Sequence, residues 1–203
     1  MCLVGLTGGI AAGKSSVAAR WVQLGGIEID ADVLAREAVA KGSEGLARVV
    51  EEFGNSIIGP TGELDRAALA ERVFTDPSQR QRLESIVHPI VRELAGQRIR
   101  ELPDDAIAIY TVPLLVEANV SLPFDKVVTV EAPEREQVKR MVQNRGMSEQ
   151  EALARIRNQA TPAQRANRAD VILNSNQTLP ELLADADALW GQIVREASEK
   201  QKD

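Results

Sequence analysis

The fourteen residues Leu3-Val4-Gly5-Leu6-Thr7-Gly8-Gly9-Ile10-Ala11-Ala12-Gly13-Lys14-Ser15-Ser16 restrict the possible folds of this chain more than any other stretch. An apolar run of strand length breaks into glycines, and Gly8 to Ser15 then fits the pattern G-x-x-x-x-G-K-[ST]. Behind it, Val17, Ala18, Ala19, Trp21, Val22 and Leu24 recur at helical spacing. Strand, glycine turn and helix in that order form the setting in which such a loop wraps phosphate. Gly8, Gly9 and Gly13 are expected to supply unusual backbone dihedrals, so that successive N–H groups and the helix N-terminus face phosphate oxygens. Lys14 is then expected to neutralise the outer phosphates, and Ser15 to offer its hydroxyl to a magnesium ion bridging the same oxygens. The pattern predicts a nucleoside triphosphate and is silent on what receives the phosphate.

With 203 residues, 44% of them hydrophobic, the chain can bury one proper core, with room for a mobile subdomain. No apolar run approaches the roughly eighteen residues of a membrane span, and Met1-Cys2-Leu3 lacks the layout of a signal peptide. A cytoplasmic protein without a membrane partner is expected. One cysteine, Cys2, excludes an internal disulfide, and one histidine, His88, leaves no His/Cys cluster for zinc. A net charge of −6 argues against nucleic acid as the partner. Against that background, residues 133–168 hold eight basic and four acidic side chains. A basic segment on an acidic chain suits a local polyanion such as bound triphosphate, although most of its charges are expected to lie on solvated helical faces.

Ile27-Glu28-Ile29 reads as a second strand, ending at Asp30-Ala31-Asp32 ahead of a helix that opens at Val33. Two carboxylates at a strand end lie where open parallel sheets place ligands, and one of the pair is free to act as the helix cap. Residues from about Val33 to Leu102 read as helical, with Leu46, Val49, Val50 and Phe53 on one face, a turn at Gly59-Pro60-Thr61-Gly62, and Asp76-Pro77 opening a long helix. Pro89 is expected to kink or break that helix near His88. So large a helical insertion between strands suits a cap holding a second substrate. Ala106 to Val112 and Lys126 to Val130 read as strands, and the first offers Thr111 where a Walker-B strand would end in Asp. Ser148 to Glu151, Thr161-Pro162 and Thr178 to Glu181 mark helix starts, and Val171-Ile172-Leu173 a last strand. Ser198 to Asp203 is expected to fray. The alternation predicts a parallel sheet with helices on both faces.

Taken in order, Gly5 to Ile10 with Gly13-Lys14-Ser15, Ile29 to Asp32 with Ala35-Arg36-Glu37, His88-Pro89, Pro113-Leu114-Leu115-Val116-Glu117, Gln137 with Arg140, Ile156 to Gln159, and Ala169-Asp170 to Asn174 resemble the dephospho-coenzyme A kinase family. The resemblance spans nearly the whole chain. It implies an α/β fold, a P-loop kinase-like parallel sheet flanked by helices, with a core at about 1–32, 104–132 and 169–198, a helical acceptor-binding insertion at about 33–103, and a helical lid at about 133–168. The implied reaction is ATP-dependent phosphorylation of the ribose 3′-hydroxyl of dephospho-coenzyme A, with magnesium. Asp32 becomes the general base, and Lys14 and Arg140 act at the transferring phosphate. Gly9, Ile10, Ala11, Ala12, Gly13, Lys14, Ser15 and Ser16 hold the nucleotide together with Asn174. Asp30, Asp32, Arg36 and His88 meet the acceptor, while Ser15, and Asp30 through water, serve the metal. The implied partners are these small molecules alone, on a monomer or weak homo-oligomer. Two departures from the family pattern stand out: Ala11-Ala12 and Ser16 replace the common Gly-Ser and Thr, and Asn144 stands where many relatives have a second lid arginine, with Arg145 one place on. Another small-molecule or nucleoside monophosphate kinase is a rival reading, and a GTP-hydrolysing switch a remote one, since neither D-x-x-G nor N-K-x-D occurs.

Overall fold

Cys2–Gly8 carries no charged side chain and is buried along its whole length, as a strand covered on both faces must be. It is β1, the third strand of a five-stranded sheet in the computed structural model, which describes residues 1–118, 120 and 122–200, the side chains of 74 and 75 excepted. With β2 (Ile27–Asp30), β3 (Ile107–Thr111), β4 (Lys126–Glu131) and β5 (Val171–Asn174), the sheet order is β2-β3-β1-β4-β5. β1 runs parallel to β3 and β4, and β4 parallel to β5. The registers Leu6 with Thr111, Gly8 with Val130 and Glu131 with Asn174 gather carboxyl strand ends along one edge, where open α/β sheets bind ligands.

The helices among the described residues are α1 (Lys14–Gln23), α2 (Ala31–Ala38), α3 (Glu44–Phe53), α4 (Arg66–Thr75), α5 (Pro77–Arg100), α6 (Glu134–Arg145), α7 (Glu149–Arg157), α8 (Pro162–Arg168) and α9 (Leu179–Lys200). The chain divides into two compact units, residues 1–29 with 102–203, and residues 30–101. In the first, Val4, Leu6, Val17, Trp21, Ile109, Val128 and Trp190 share one apolar core. Trp21 ties α1 to α9: its Nε1 donates to the Ala186 carbonyl at 2.9 Å, and its ring lies 5.7 Å from that of Trp190. The buried indole is thus hydrogen-bonded as well as packed, so its polar end costs little.

The second unit is helical, built on Val39, Val49, Phe53, Ile57 and Leu69 with Leu83, Ile86 and Val87 from α5. The turn expected at Gly59 to Gly62 is present, closed by a bridge between Ile58 and Leu64. Asp76 caps α5 by accepting from the Ser78 N–H at 2.8 Å, ahead of Pro77 in the first turn. Pro89 does not break that helix, which runs 24 residues through it. A proline costs about 3 kcal/mol in a helix interior; here Leu83, Ile86 and Val87 on one side of it and buried Ala95 on the other keep both halves packed. The C-terminal helix also outlasts its expected end. Ser198 to Lys200 remain in α9, where Lys200 Nζ meets Asp125 Oδ1 at 2.5 Å; residues 201–203 lie outside the described residues. Burial tends to raise the Asp125 carboxyl, but hydrogen bonds from Lys200 and the Leu3 N–H outweigh it and hold the group below its ordinary value.

Candidate active site

The loop between β1 and α1 departs from the expected use of its glycines. Only Gly13 adopts a left-handed backbone, at φ 107°. Gly8 is extended, and its constraint is space: a Cβ there would lie 2.5 Å from the Val130 carbonyl oxygen. Gly9 is likewise a matter of space, since its Cβ would lie 2.3 Å from Gln137 Nε2. Among the described residues the one positive φ outside glycine falls on Ala11, at 57°. Such a conformation costs an ordinary residue about 1–2 kcal/mol.

No side chain caps α1 and no acidic residue stands in its first turn, so its leading N–H groups and the positive end of its dipole are turned toward the loop. Lys14 and Ser15 are the first two residues of that helix, Lys14 half-buried and Ser15 exposed, with Ser16 behind them.

Side chains from residues 137–175 hold the loop from outside. Gln137 Nε2 donates to the Ile10 carbonyl at 2.8 Å, and Gln159 Oε1 accepts from the Ile10 N–H at 2.8 Å. Arg140 donates from Nη1 to the carbonyls of Ala11 (3.1 Å) and Ala12 (3.3 Å) and to Ser175 Oγ (2.9 Å), and from Nη2 to the Ser175 carbonyl (2.7 Å). Fully buried Ser175 also donates its hydroxyl to the Ala12 carbonyl. Arg140, expected at the transferring phosphate, is here committed to loop carbonyls. Arg145 ends α6 on the exposed side, after Asn144. Asn174, expected on the nucleotide, is exposed at the end of β5, where its Oδ1 accepts from the Asn176 N–H at 2.8 Å.

The link from α7 to α8, which carries Gln159, is braced twice. Glu117 Oε1 accepts from the Ala160 N–H at 2.6 Å, giving the Pro113 to Glu117 stretch a role, and Arg165 donates to the Ala160 carbonyl. Arg165 is 4% exposed and forms a two-pronged pair with Glu131, Nε to Oε1 at 2.6 Å and Nη2 to Oε2 at 2.7 Å. Thr129 Oγ1 donates to the same Oε1 at 2.7 Å. Removing one member strands a buried charge. Arg165→Met is therefore expected to lower unfolding free energy by about 3–5 kcal/mol in a denaturant titration; a loss below about 1 kcal/mol would mean that the pair is solvated in solution.

In the second unit, Asp30 takes the capping role that was open to either carboxylate. Its Oδ1 accepts from the N–H groups of Asp32 (2.7 Å) and Val33 (3.4 Å), so the helix opens at Ala31 rather than at Val33. Asp32 and Arg36 are both exposed on α2, one turn apart and on one face. His88 is exposed on α5. Thr111, standing where the Walker-B acid was missed, donates to Glu28 Oε1 at 2.9 Å, which puts a carboxylate from β2 beside the end of β3. Sequence reasoning left Gln159, Arg165, Ser175 and Glu28 without roles. Gln159 stood inside the recognised Ile156 to Gln159 stretch and the others only near such motifs, and each acts through a partner more than thirty residues away.

Residues 2–181 match the family model described as dephospho-CoA kinase. The chain is 45% identical over 195 residues to the dephospho-CoA kinase of Thermobifida fusca, covering 96% of this chain and 98% of that one. It is 45% identical over 201 residues to the enzyme of the same name from Streptomyces avermitilis, covering 97% and 96%. A solved structure from Thermus thermophilus superimposes with a TM-score of 0.79 at 34% identity, over 94% of this chain and 97% of that one. A phosphate loop ahead of an uncapped helix, on a parallel sheet interrupted by a helical unit, together with a match of this extent, establishes that the chain belongs to the dephospho-CoA kinase family.

Proposed function

We infer that the protein transfers the γ-phosphate of ATP to the ribose 3′-hydroxyl of dephospho-coenzyme A, giving coenzyme A and ADP, the last step of coenzyme A synthesis. The observation that carries this reading is the uncapped start of α1 behind the loop, in a chain whose residues 2–181 match the family. The loop N–H groups and Lys14 would bind the triphosphate. Asp32 would orient the 3′-hydroxyl and take its proton as the oxygen bonds to phosphorus and the bond from the γ-phosphorus to the bridging oxygen breaks. The displaced electron pair leaves on ADP.

Among the described residues, no three His, Cys, Asp or Glu side chains gather as a metal cage. Magnesium, when bound, neutralises phosphate oxygens. The Ser15 hydroxyl would hold it, and Asp30, whose two cap bonds both end on Oδ1, keeps Oδ2 for a water of its shell. Residues 133–168 would serve as the lid, with Arg140 lending positive charge from behind the loop. The helical unit, with Arg36 and His88, would receive the acceptor. No helix among the described residues is long and apolar enough to cross a membrane; we place the protein in the cytoplasm, as a monomer or weak homo-oligomer.

A panel of acceptors tests the assignment through coupled ADP release. Dephospho-coenzyme A should drive release, whereas AMP and pantetheine derivatives should stay at the rate of ATP hydrolysis alone. Equal turnover with AMP would favour a nucleoside monophosphate kinase instead.

A further inference from the structure

Three successive loop carbonyls, those of Ile10, Ala11 and Ala12, each accept a hydrogen bond from outside the loop. No peptide bond among the described residues is cis. In a trans peptide the carbonyl and the following N–H point in opposite directions. Turning the Ile10 and Ala12 carbonyls outward therefore turns the N–H groups of Ala11 and Gly13 inward, to the side on which an anion would lie. The Ala12 N–H instead closes the turn onto the Gly9 carbonyl at 3.0 Å. The direction of the anion-binding groups is thus set by the donors on the other side of the loop. That loop also holds Ala11 in a left-handed conformation, which a non-glycine residue leaves readily once its neighbours are released.

Among those donors Gln137, like Ser175, is buried. It is 4% exposed, it lies in the space that a Cβ on Gly9 would fill, and its Nε2 makes a 2.8 Å bond to Ile10. Gly9 has no need of glycine for its backbone angle; it needs to be small so that Gln137 can reach past it. Arg140 follows on the same face of α6 three residues later and holds the next two carbonyls.

We propose that Gln137 is a positioning residue that holds the phosphate loop in its anion-binding shape before nucleotide arrives, and that Gly9 is glycine to admit it. Only molecules with the ordered loop bind phosphate. Loss of the bond therefore lowers the competent fraction and weakens every polyphosphate nucleotide by the same factor. A group that touches the transferring phosphate would behave otherwise, lowering kcat and separating ATP from ADP.

The test uses the full chain and reads binding of ADP and ATP by calorimetry beside steady-state kinetics. Gln137→Met keeps the volume and removes the donor. It is expected to raise the dissociation constants of ADP and ATP together by about tenfold, and KM for ATP by more than kcat falls. Gly9→Ala, which displaces Gln137 and also crowds Arg165 Nη2 at 3.1 Å, should weaken ADP and ATP together at least as much, and adding Gln137→Met to it should lose little more, since the shared contact is already broken. Unchanged nucleotide affinity in Gln137→Met would overturn the proposal. So would a fall in kcat with affinities intact, which would place Gln137 at the reacting phosphate. ADP binding needs no acceptor, so the result stands apart from the assignment of dephospho-coenzyme A.

Discussion

A folded Lys14→Ala variant is expected to transfer phosphate about a thousandfold more slowly than the parent, which corresponds to roughly 4 kcal/mol of barrier. Lys14 is the first residue of α1, directly after the left-handed Gly13, so its backbone and its ammonium group are presented by one turn of chain. Charge moves from the γ-phosphoryl group onto the leaving oxygen during transfer, and the lysine matters most when that charge has developed. Lys14→Arg should recover little, because a planar fork does not replace a compact ammonium in a loop shaped by backbone contacts. Single-turnover rates at saturating ATP, with folding checked by circular dichroism, decide the matter. A variant within tenfold of the parent rate would remove the loop from the chemistry.

Asp32→Asn is expected to lose at least about a hundredfold in rate while binding ATP and dephospho-coenzyme A almost normally, since it keeps the shape and removes the basicity. Asp30 is the matching control. Its capping atom is Oδ1, and Asn caps a helix as well as Asp does, so Asp30→Asn should keep the fold. The lost Oδ2 charge should appear as a raised magnesium requirement, with the rate largely recovered at high magnesium. Asp30→Ala, which removes the cap itself, should cost about 1 kcal/mol of stability. Single-turnover rates and both dissociation constants, measured across a magnesium series, separate these outcomes. A larger loss of rate in Asp30→Asn than in Asp32→Asn would reverse the two roles.

The clearest readings from sequence were those carried by a few adjacent residues. Asp76-Pro77, Ser148 to Glu151, Thr161-Pro162 and Thr178 to Glu181 all open helices as expected, because a cap is a local bond between a side chain and an N–H two or three residues away in either direction. The apolar character of Cys2–Gly8 likewise marked a strand buried on both faces. Pro89 shows where local chemistry is overruled. Its cost is intrinsic to the helix, but the packing of α5 on its neighbours is not visible in the residues around it. The start of α2 shows the opposite limit: two carboxylates two positions apart were both plausible caps, and only the closed bonds to Asp32 and Val33 show that Asp30 took the role.

By itself the amino-acid sequence determined the alternation of strands and helices, the phosphate loop with Lys14 and Ser15 at the head of α1, and the helical character of the stretch from about Val33 to Leu102. These follow from hydrophobic period and from interactions within a few residues, which the order of side chains encodes directly. Only the tertiary structure decided the strand order β2-β3-β1-β4-β5, the pairing of Glu131 with Arg165, and the bonds from Gln137, Gln159, Arg140 and Ser175 to Ile10, Ala11 and Ala12. It also reassigned the glycines: Gly8 and Gly9 are required by what packs against them, while the left-handed turn is carried by Gly13 and Ala11. Those contacts join residues 34 to 163 positions apart, and at such separations a side chain's partner is chosen by how the sheet and helices stack, not by any pattern along the chain.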